Sequence, residues 1–175
     1  MANWTIDTAH TETSFSVKHM GLSNVRGNFD TTSGTVTTDE QGKITGIDAT
    51  IDVASIDTRN EDRDNHLKSA DFFEVEKYPS IHFVATSIKG DDEDYTITGD
   101  LTIKDVTKSI TFTAEIGEPV DDPYGLKRSG ASLSFSIDRR EFNLNWSQSI
   151  ANGSLVVGNK VKVNVDAEIT QNPNA

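Results

Sequence analysis

Apolar and polar residues alternate with a period of two along most of this chain, and this pattern restricts its fold more than any other feature. Side chains of a β-strand point alternately to opposite faces, so the alternation predicts strands that bury one face and wet the other. A buried helix would instead repeat its apolar residues every three or four positions. The inward rows of two well-marked segments are Ile47, Ala49, Ile51 and Val53, and Val161, Val163, Val165, Ala167 and Ile169.

About eight segments of this kind, separated by turn-forming residues at the roughly 8–12-residue spacing of barrels and sandwiches, predict an antiparallel all-β domain. Periodicity alone fits both architectures. Val25 to Thr38 is predicted as one long strand, bent near Ser33 and Gly34, where a bulge is easily accommodated. The 175 residues fall within the range of a single domain, which we expect to span 1–175.

The charge and apolar content argue against two classes of partner. The sequence has 28 acidic and 16 basic residues, a formal net charge of −12. This charge repels phosphate backbones and anionic bilayers at long range, so we expect no nucleic-acid partner. No run of apolar residues approaches the length of a membrane span, so no stable membrane insertion is expected. The absence of Cys excludes disulfides, thiolate metal sites and thiol nucleophiles.

The start of the sequence bears on location. Met1 leads almost directly into a strand-like Trp4-Thr5-Ile6, without the basic and apolar regions of a secretory signal. As written, the sequence therefore predicts a cytoplasmic protein. A periplasmic or secreted protein is expected instead if an N-terminal signal has been removed.

One stretch, Thr58 to Phe83, breaks the alternation. It opens with dense charge, is predicted to be helical around residues 60–73 with Asn60 as N-cap, and closes on paired aromatic residues. Adjacent residues cannot share a face of a strand, so Phe72 and Phe73 are expected to end the helix with at least one ring pointing inward. The pair either packs as a cap on its own core or contacts a ligand.

Three polar residues in this stretch, Arg63, Asp64 and His66, have two interpretations. One is the solvated first turns of a helix. The other is a site at which Arg63 or His66 hydrogen-bonds the polar head of a bound molecule while Asp64 orients its neighbours. The residues alone leave both open.

Aromatic and aliphatic side chains on the inward rows are candidates for either a filled core or the lining of a cavity. In a filled barrel they pack against one another, whereas a barrel of about eight strands can also hold one small ligand. These residues are Phe15, Phe83, Leu101, Ile103, Phe112, Phe135 and Ile137.

Several motifs in the expected order resemble those of the YceI-like family, and together they cover nearly the whole chain. They are Trp4-x-Ile6-Asp7-x-x-His10, Phe15-Ser16-Val17-Lys18-His19-Met20, Gly27-x-Phe29, Asp64-x-His66-Leu67-Lys68-Ser69-x-Asp71-Phe72-Phe73, Tyr78-Pro79-x-Ile81-x-Phe83 and Gly99-Asp100-Leu101-Thr102-Ile103. Two departures fall in predicted turns. The chain has Asp105-Val106-Thr107-Lys108-Ser109 where the family has Gly before Val-Thr-Lys-Pro, and Phe142-Asn143 where it often has Phe-Gly.

The resemblance implies a lipocalin-like antiparallel β-barrel that binds a polyisoprenoid or another long-chain amphiphile, often a quinone precursor, in an apolar tunnel. It also implies a homodimer. No catalytic cofactor, catalytic residue or metal ligand is expected. The predicted ligand-contacting residues are Phe15, Val17, Phe29, Arg63, Asp64, His66, Phe72, Phe73, Phe83, Leu101, Ile103, Phe112, Phe135, Ile137, Phe142 and Trp146.

Two other functions compete with lipid binding. An enzyme is disfavoured because the four His residues lack the His-x-His and His-Glu-x-x-His spacings of metal sites, and no Gly-x-Ser-x-Gly elbow occurs. A site assembled from distant strands would escape such a search, so an enzyme acting on a lipid-like substrate remains an alternative. The other is an interaction module whose barrel is plugged and dry.

Overall fold

The computed structural model describes residues 2–91, 93–148 and 155–171. Within these ranges the chain forms twelve β-strands and one α-helix, with short 3₁₀ turns between them. The strands are β1 (Ala2–Ile6), β2 (Glu12–His19), β3 (Ser23–Phe29), β4 (Thr32–Thr38), β5 (Ile44–Asp52), β6 (Ile56–Asp57), β7 (Ser80–Asp91), β8 (Asp94–Ile103), β9 (Val106–Ile116), β10 (Val120–Asp121), β11 (Lys127–Asp138) and β12 (Val157–Gln171), and the helix is α1 (Glu61–Lys68).

Eight of the strands close into an antiparallel barrel. Their hydrogen-bonded order is β11-β9-β8-β7-β5-β4-β1-β12, and β12 returns to pair with β11. That last ladder runs without a break from Lys127 opposite Gln171 to Asp138 opposite Lys160. The prediction of an antiparallel barrel with a short helix is confirmed, and closure decides between the barrel and the sandwich that periodicity could not separate.

The strand β12 joins the two ends of the chain. Its last residues pair with β1, where Ile169 lies opposite Ile6, and its first two thirds pair with β2, where Val163 lies opposite Phe15. The hairpin of β2 and β3, with the short β6 beside it, therefore continues the barrel wall below β1.

The single long strand predicted over 25–38 is wrong, because the structure divides it into β3 and β4 at Asp30 and Thr31. The two halves serve different neighbours: β3 pairs with β2 and β6, whereas β4 pairs with β1 and β5. Gly34 lies in the middle of β4 at φ +150°, where a Cβ atom would meet the backbone of Ala49 at 2.8 Å. Gly34 permits close approach of β5 and does not mark a bend.

The helix α1 begins as predicted and ends earlier than predicted. Asn60 is the N-cap, and its side chain accepts a hydrogen bond from the backbone N–H of Arg63 at 3.0 Å. Ser69 ends the helix because its backbone is extended and its hydroxyl donates to the carbonyl of His66. Residues 69–77 then form turns, with the Phe73 N–H donating to the Leu67 carbonyl. No helix in the described ranges is long and apolar enough to cross a membrane.

The inward-facing residues form two apolar clusters, one in each half of the barrel. The upper cluster lies around Trp4, Ile97 and Phe112. The lower cluster lies around Phe29, Phe72 and Phe142, under the segment that contains α1. Phe83, Ile110 and Phe135 pack against both, so they mark where the two halves meet.

Candidate functional site

The upper half of the barrel encloses a cavity of about 140 Å³. Its lining is aliphatic and aromatic apart from three threonines. The residues that line it are Ile6, Thr11, Thr13, Thr32, Val36, Ile44, Ile47, Ala49, Ile51, Ile81, Phe83, Ile97, Leu101, Phe112, Ala114, Ile116, Ala131, Leu133, Phe135, Val163, Val165, Ala167 and Ile169.

A second cavity of about 120 Å³ occupies the lower half, beneath α1. Six residues line both cavities, so the two adjoin, and together we call them the tunnel. The shared residues are Thr13, Ile51, Ile81, Leu101, Phe135 and Val163. The lower cavity is otherwise lined by Phe15, Val17, Phe29, Leu67, Phe72, Phe73, Ile103, Ile137, Arg139, Leu144, Val157 and Val161.

The hydroxyl groups of the tunnel wall are engaged within the protein. Thr13 and Thr32 share a hydrogen bond of 2.9 Å between their Oγ1 atoms. The Thr11 hydroxyl accepts a hydrogen bond of 3.3 Å from the backbone N–H of Glu168. Since paired hydroxyls offer little to water, the tunnel is an apolar space along its length.

Eleven of the sixteen residues predicted from the sequence lie in the tunnel wall. Phe83 and Phe112 line the upper cavity, whereas Leu101 and Phe135 line both. The other seven line the lower cavity, namely Phe15, Val17, Phe29, Phe72, Phe73, Ile103 and Ile137. Many further wall residues, such as Ile81 and Val163, sit on the same inward rows, so the alternation that revealed the phenylalanines also marked them.

The paired phenylalanines after α1 both reach the lower cavity. Phe72 is buried, and Phe73 is half-buried with its ring edge-on to Phe29 at a centroid distance of 5.9 Å. The turns that follow Ser69 remove the pair from helical geometry, which lets two adjacent rings face the same space. The predicted inward ring is therefore present, and contact of the pair with a ligand stays a prediction.

Phe142 and Trp146 lie close to the tunnel but do not line it. Phe142 is only 1% exposed and belongs to the lower apolar cluster. Trp146 packs on Phe72 at a centroid distance of 5.5 Å and covers it from outside. Direct ligand contact by either residue stays a prediction.

Arg63 and Asp64 both form hydrogen bonds with Thr58, at the start of the segment that breaks the alternation. The Arg63 guanidinium donates to the Thr58 hydroxyl at 2.8 Å and to its carbonyl at 2.7 Å. One carboxylate oxygen of Asp64 accepts from the Thr58 backbone N–H at 2.9 Å and from its hydroxyl. Thr58 is buried, so these bonds anchor α1 to the barrel wall. Neither side chain lines the tunnel.

His66 lies on the outside of the aromatic cover. Its Nε2 atom is 2.9 Å from a carboxylate oxygen of Asp71, and its ring is edge-on to Phe72 and to Trp146. The structure therefore gives His66 a packing role in the cover. Its predicted contact with a lipid head group stays a prediction.

Arg139 is a residue of this site that the sequence did not reveal. It is 3% exposed, and its guanidinium donates to the carbonyls of Gly158 at 2.9 Å, Leu144 at 2.5 Å and Val157 at 3.3 Å. Burial lowers the pKa of this guanidinium. Arg139 thus ties the start of β12 to the segment after β11 and supplies its stem to the wall of the lower cavity. A basic residue beside Arg140 carries no sequence signal for burial.

Sequence reasoning also missed a charged cluster near the end of the barrel where β1 and β12 pair. Asp7, His10 and Glu168 come close enough to surround a cation. However, Nη1 of Arg128 donates to Asp7 at 2.6 Å and to Glu168 at 2.8 Å, so a guanidinium already pairs with both carboxylates. The Arg128 hydrogen bond, followed by that of His10, lowers the pKa of Asp7. The cluster acts as an ion-pair clasp across β1, β11 and β12.

A family model for the YceI-like domain matches residues 4–169. The chain belongs to the YceI-like family. Two relatives align with this chain over most of their own length. The chain is 40% identical over 136 residues to Protein YceI of Escherichia coli O17:K52:H18, which covers 77% of this chain and 71% of that protein. It is 36% identical over 172 residues to a UPF0312 protein of Staphylococcus aureus (strain USA300), covering 97% and 98%.

Solved structures of other proteins share this barrel fold. The Campylobacter jejuni YCEI protein superposes with a TM-score of 0.74 at 36% identity, over 88% of this chain and 89% of that one. Burkholderia cenocepacia BcnA, at 23% identity, has a TM-score of 0.77 over 93% and 98%. A polyisoprenoid binding domain from Saccharophagus degradans, at 14% identity, has a TM-score of 0.76 over 99% and 100%. The last two likenesses concern the fold.

Asp105 and Asn143 lie in turns, as predicted for the two departures from the family pattern, but the first departure extends into β9, where Ser109 pairs with Asp100. Asn143 adopts the left-handed conformation, with φ 60° and ψ 25°, and ends the 3₁₀ turn that contains Phe142. Lys104, in the turn between β8 and β9, has φ 57°. Asn tolerates the left-handed region better than most residues, so Asn143 meets the same backbone requirement as the Gly that the family often has there.

Proposed function

We propose that this protein binds a long-chain isoprenoid, or a similar amphiphilic lipid, inside the tunnel and carries or sequesters it without catalysis. The observation that supports this most directly is the tunnel itself: two adjoining cavities of about 140 and 120 Å³ with an apolar wall. Each is many times the roughly 10–15 Å³ needed to hold one water molecule.

The chemistry of the wall favours a lipid over water as occupant. A buried water needs two to four polar partners, and the threonine hydroxyls of the tunnel are already paired. An isoprenoid chain presents only apolar surface along its length. Its affinity therefore derives from the area it removes from water, at about 25 cal/mol per Å² before the costs of binding.

The barrel also has the length for a chain rather than a compact ligand. The strand β7 has 12 residues. At about 3.3 Å per residue and a tilt of about 40°, such a strand spans roughly 30 Å along the barrel axis. An extended ligand of several isoprene units fits this dimension.

The similarity to other proteins supports the ligand class. A Saccharophagus degradans domain with the same fold is described as a polyisoprenoid binding domain. We extend that ligand class to this chain, with a quinone-type lipid as one candidate. A homodimer, as the family resemblance implies, is part of the same proposal and would be measured by sedimentation.

The proposal is tested by extracting the purified, detergent-free protein with organic solvent and analysing the extract by mass spectrometry. A stoichiometric long-chain lipid is the expected result. Protein that yields none should take up a fluorescent prenyl or acyl probe. An empty extract together with no uptake of either probe would overturn the proposal in favour of the plugged barrel, and conversion of the bound lipid during incubation would favour the enzyme.

A further inference from the structure

Four exposed cations gather on the outer face of β2, β3 and β12, on a chain of net charge −12. They are Lys18, Arg26, Lys160 and Lys162, and they border an open groove of about 470 Å³. None of the four forms an ion pair or a side-chain hydrogen bond with another described residue. We call this group the basic face.

The strand register places these cations close together. Lys162 lies opposite Ser16 on β2, and Ser16 lies opposite Arg26 on β3. Two strand spacings of about 4.8 Å therefore separate Lys162 from Arg26. Small neutral residues fill the groove between the cations, namely Ser14, Ser16, Asn24 and Asn164.

Carboxylates near the basic face are either engaged or farther along the strands. Asp138 lies opposite Lys160, but both of its oxygens accept hydrogen bonds from Arg140, at 3.0 and 2.6 Å. Glu12 and Asp166 face each other beyond the groove, toward the end of β12. At physiological salt, charges farther than about 8 Å are largely screened, so a surface in contact with the basic face meets positive charge.

An exposed apolar side chain stands at the edge of the basic face. Leu22, in the turn between β2 and β3, is 81% exposed. The backbone N–H of Met20 in the same turn donates to the carbonyl of Val156, and the next residue, Val157, lines the lower cavity. The hairpin tip therefore lies at the end of the barrel where the lower cavity is found.

We propose that the basic face, with Leu22 at its tip, docks on an anionic lipid bilayer. Cations attracted to anionic head groups, beside an apolar residue that can reach the acyl boundary, are the pattern of peripheral membrane binding. A nucleic acid or an acidic protein would satisfy the cations but leave Leu22 in water. The inference goes beyond lipid carriage, although docking here would bring the lower cavity to a source of lipid.

Vesicle sedimentation tests this directly. The protein should sediment with vesicles of phosphatidylcholine and phosphatidylglycerol in equal amounts, not with phosphatidylcholine alone, and added salt should release it. Replacing Lys160 and Lys162 by Gln should weaken partitioning about 25-fold, at about fivefold for each charge. The matched control is Lys89→Gln with Lys108→Gln, two exposed lysines on β7 and β9, which should leave partitioning unchanged.

Leu22→Ser separates the apolar contribution from the electrostatic one. It should weaken partitioning without changing the dependence on salt. Equal losses in the two double variants, no preference for anionic vesicles, or binding to heparin without binding to vesicles would each overturn the inference. Sedimentation with vesicles needs no lipid in the tunnel, so protein that does not sediment can still take up the probe, and the proposed lipid carriage would stand. Protein that sediments normally but takes up no probe would contradict only the proposed lipid carriage.

Discussion

The ring of Phe83 on β7 occupies the space beside Gly99 on β8 where a larger residue would place its Cβ atom. A Cβ built on Gly99 would stand 2.6 Å from Cε2 of this ring. Both residues face the tunnel side of the sheet, and Phe83 contacts Phe112 at a centroid distance of 5.5 Å. The absence of a side chain at Gly99 therefore sets how far the Phe83 ring stands back from the tunnel.

Gly99→Ala should push the Phe83 ring into the upper cavity. We expect uptake of a prenyl probe to fall and the free energy of unfolding to drop by about 1–3 kcal/mol, because a methyl group is forced into a packed wall. Gly117→Ala is the control, since the nearest atom there is 3.9 Å from the new Cβ and its effect should be small. Probe titration and urea unfolding measure both. Unchanged uptake by Gly99→Ala would contradict the tunnel's role.

Phe72→Ala should open the aromatic cover and destabilise the fold. Phe72 is 6% exposed and packs on His66 and Trp146, so we expect a loss of about 3 kcal/mol in urea unfolding together with faster release of probe. Tyr124→Ala, at a side chain 82% exposed, should change stability by less than about 0.5 kcal/mol. Release at the wild-type rate in Phe72→Ala would show that this cover does not retain the ligand.

Arg139→Lys should destabilise the protein although it keeps the charge. An ammonium group cannot reach three carbonyls as the Arg139 guanidinium does, so we expect a loss of roughly 2–4 kcal/mol in urea unfolding. Arg140→Lys changes the neighbouring residue, which is exposed and pairs with Asp138, and should leave the urea midpoint close to that of wild type. Similar losses in the two variants would argue against the role assigned to Arg139.

The clasp between Arg128 and Asp7 should make stability depend on pH. In the folded protein the pKa of Asp7 lies below its ordinary value of 3.8, chiefly because the carboxylate accepts a hydrogen bond from Arg128. The folded state therefore gains stability above about pH 4 and loses it as the pH falls through the lowered value. Arg128→Gln should lower the urea midpoint most above pH 4, and the difference from wild type should shrink toward pH 2.

Lys127→Gln is the control for this experiment, because this substitution also removes one positive charge, at the residue next to Arg128. The Nζ atom of Lys127 lies 3.7 Å from a carboxylate oxygen of Asp121, and both side chains are exposed. Such pairs contribute little, so the urea midpoint should follow wild type at every pH. A constant difference between Arg128→Gln and wild type across the pH range would contradict the assignment.

The head-group interpretation of Arg63 is separable from its structural role. Arg63→Gln and Thr58→Val both break the hydrogen bond between the guanidinium and the Thr58 hydroxyl, and only the first removes the cation. If Arg63 binds a lipid head, lipid occupancy should fall in Arg63→Gln and persist in Thr58→Val. Mass spectrometry of extracts measures it. Full lipid occupancy in both variants would indicate that Arg63 anchors α1 and does not bind a lipid head.

His66→Phe applies the same logic to the aromatic cover. The new ring should retain the contacts with Phe72 and Trp146 while losing the polar Nε2 atom. Reduced lipid occupancy at unchanged stability would therefore support a head-group contact. Unchanged occupancy would assign His66 to packing only.

The alternation of residues predicts the tunnel wall well because a strand has only two faces. Once Phe83 or Phe135 is placed inward, its neighbours two positions away must follow. The division of 25–38 at Asp30 was not predicted, although the buried row changes there from odd to even positions. Phe29 is buried in β3, whereas Thr32 and Val36 are buried in β4. The change is hard to recognise in the sequence because threonines, rather than apolar residues, fill much of the buried row of β4. Hydrogen bonding to new neighbours, rather than local pattern, sets that break.

Contacts between charged residues far apart in the chain could not be predicted from the sequence, for a different reason. Asp7 and Arg128 are brought together by the pairing of β1 and β11 with β12, and neither residue has a local signal. Arg139 is similar, because only closure of the barrel places three backbone carbonyls around it. A family resemblance indicates which motifs recur, but these interactions depend on which strands meet.

The position of β12 in the barrel has a consequence for synthesis. Since β12 pairs with β11, β1 and β2, residue 6 finds its partner at residue 169. Proteins dominated by such distant pairings fold slowly, and their unpaired strand edges are open to aggregation meanwhile. While the ribosome is still translating residues 157–171, β1 and β2 have no partner on that side. The nascent chain is thus expected to need chaperone protection until its final strand emerges.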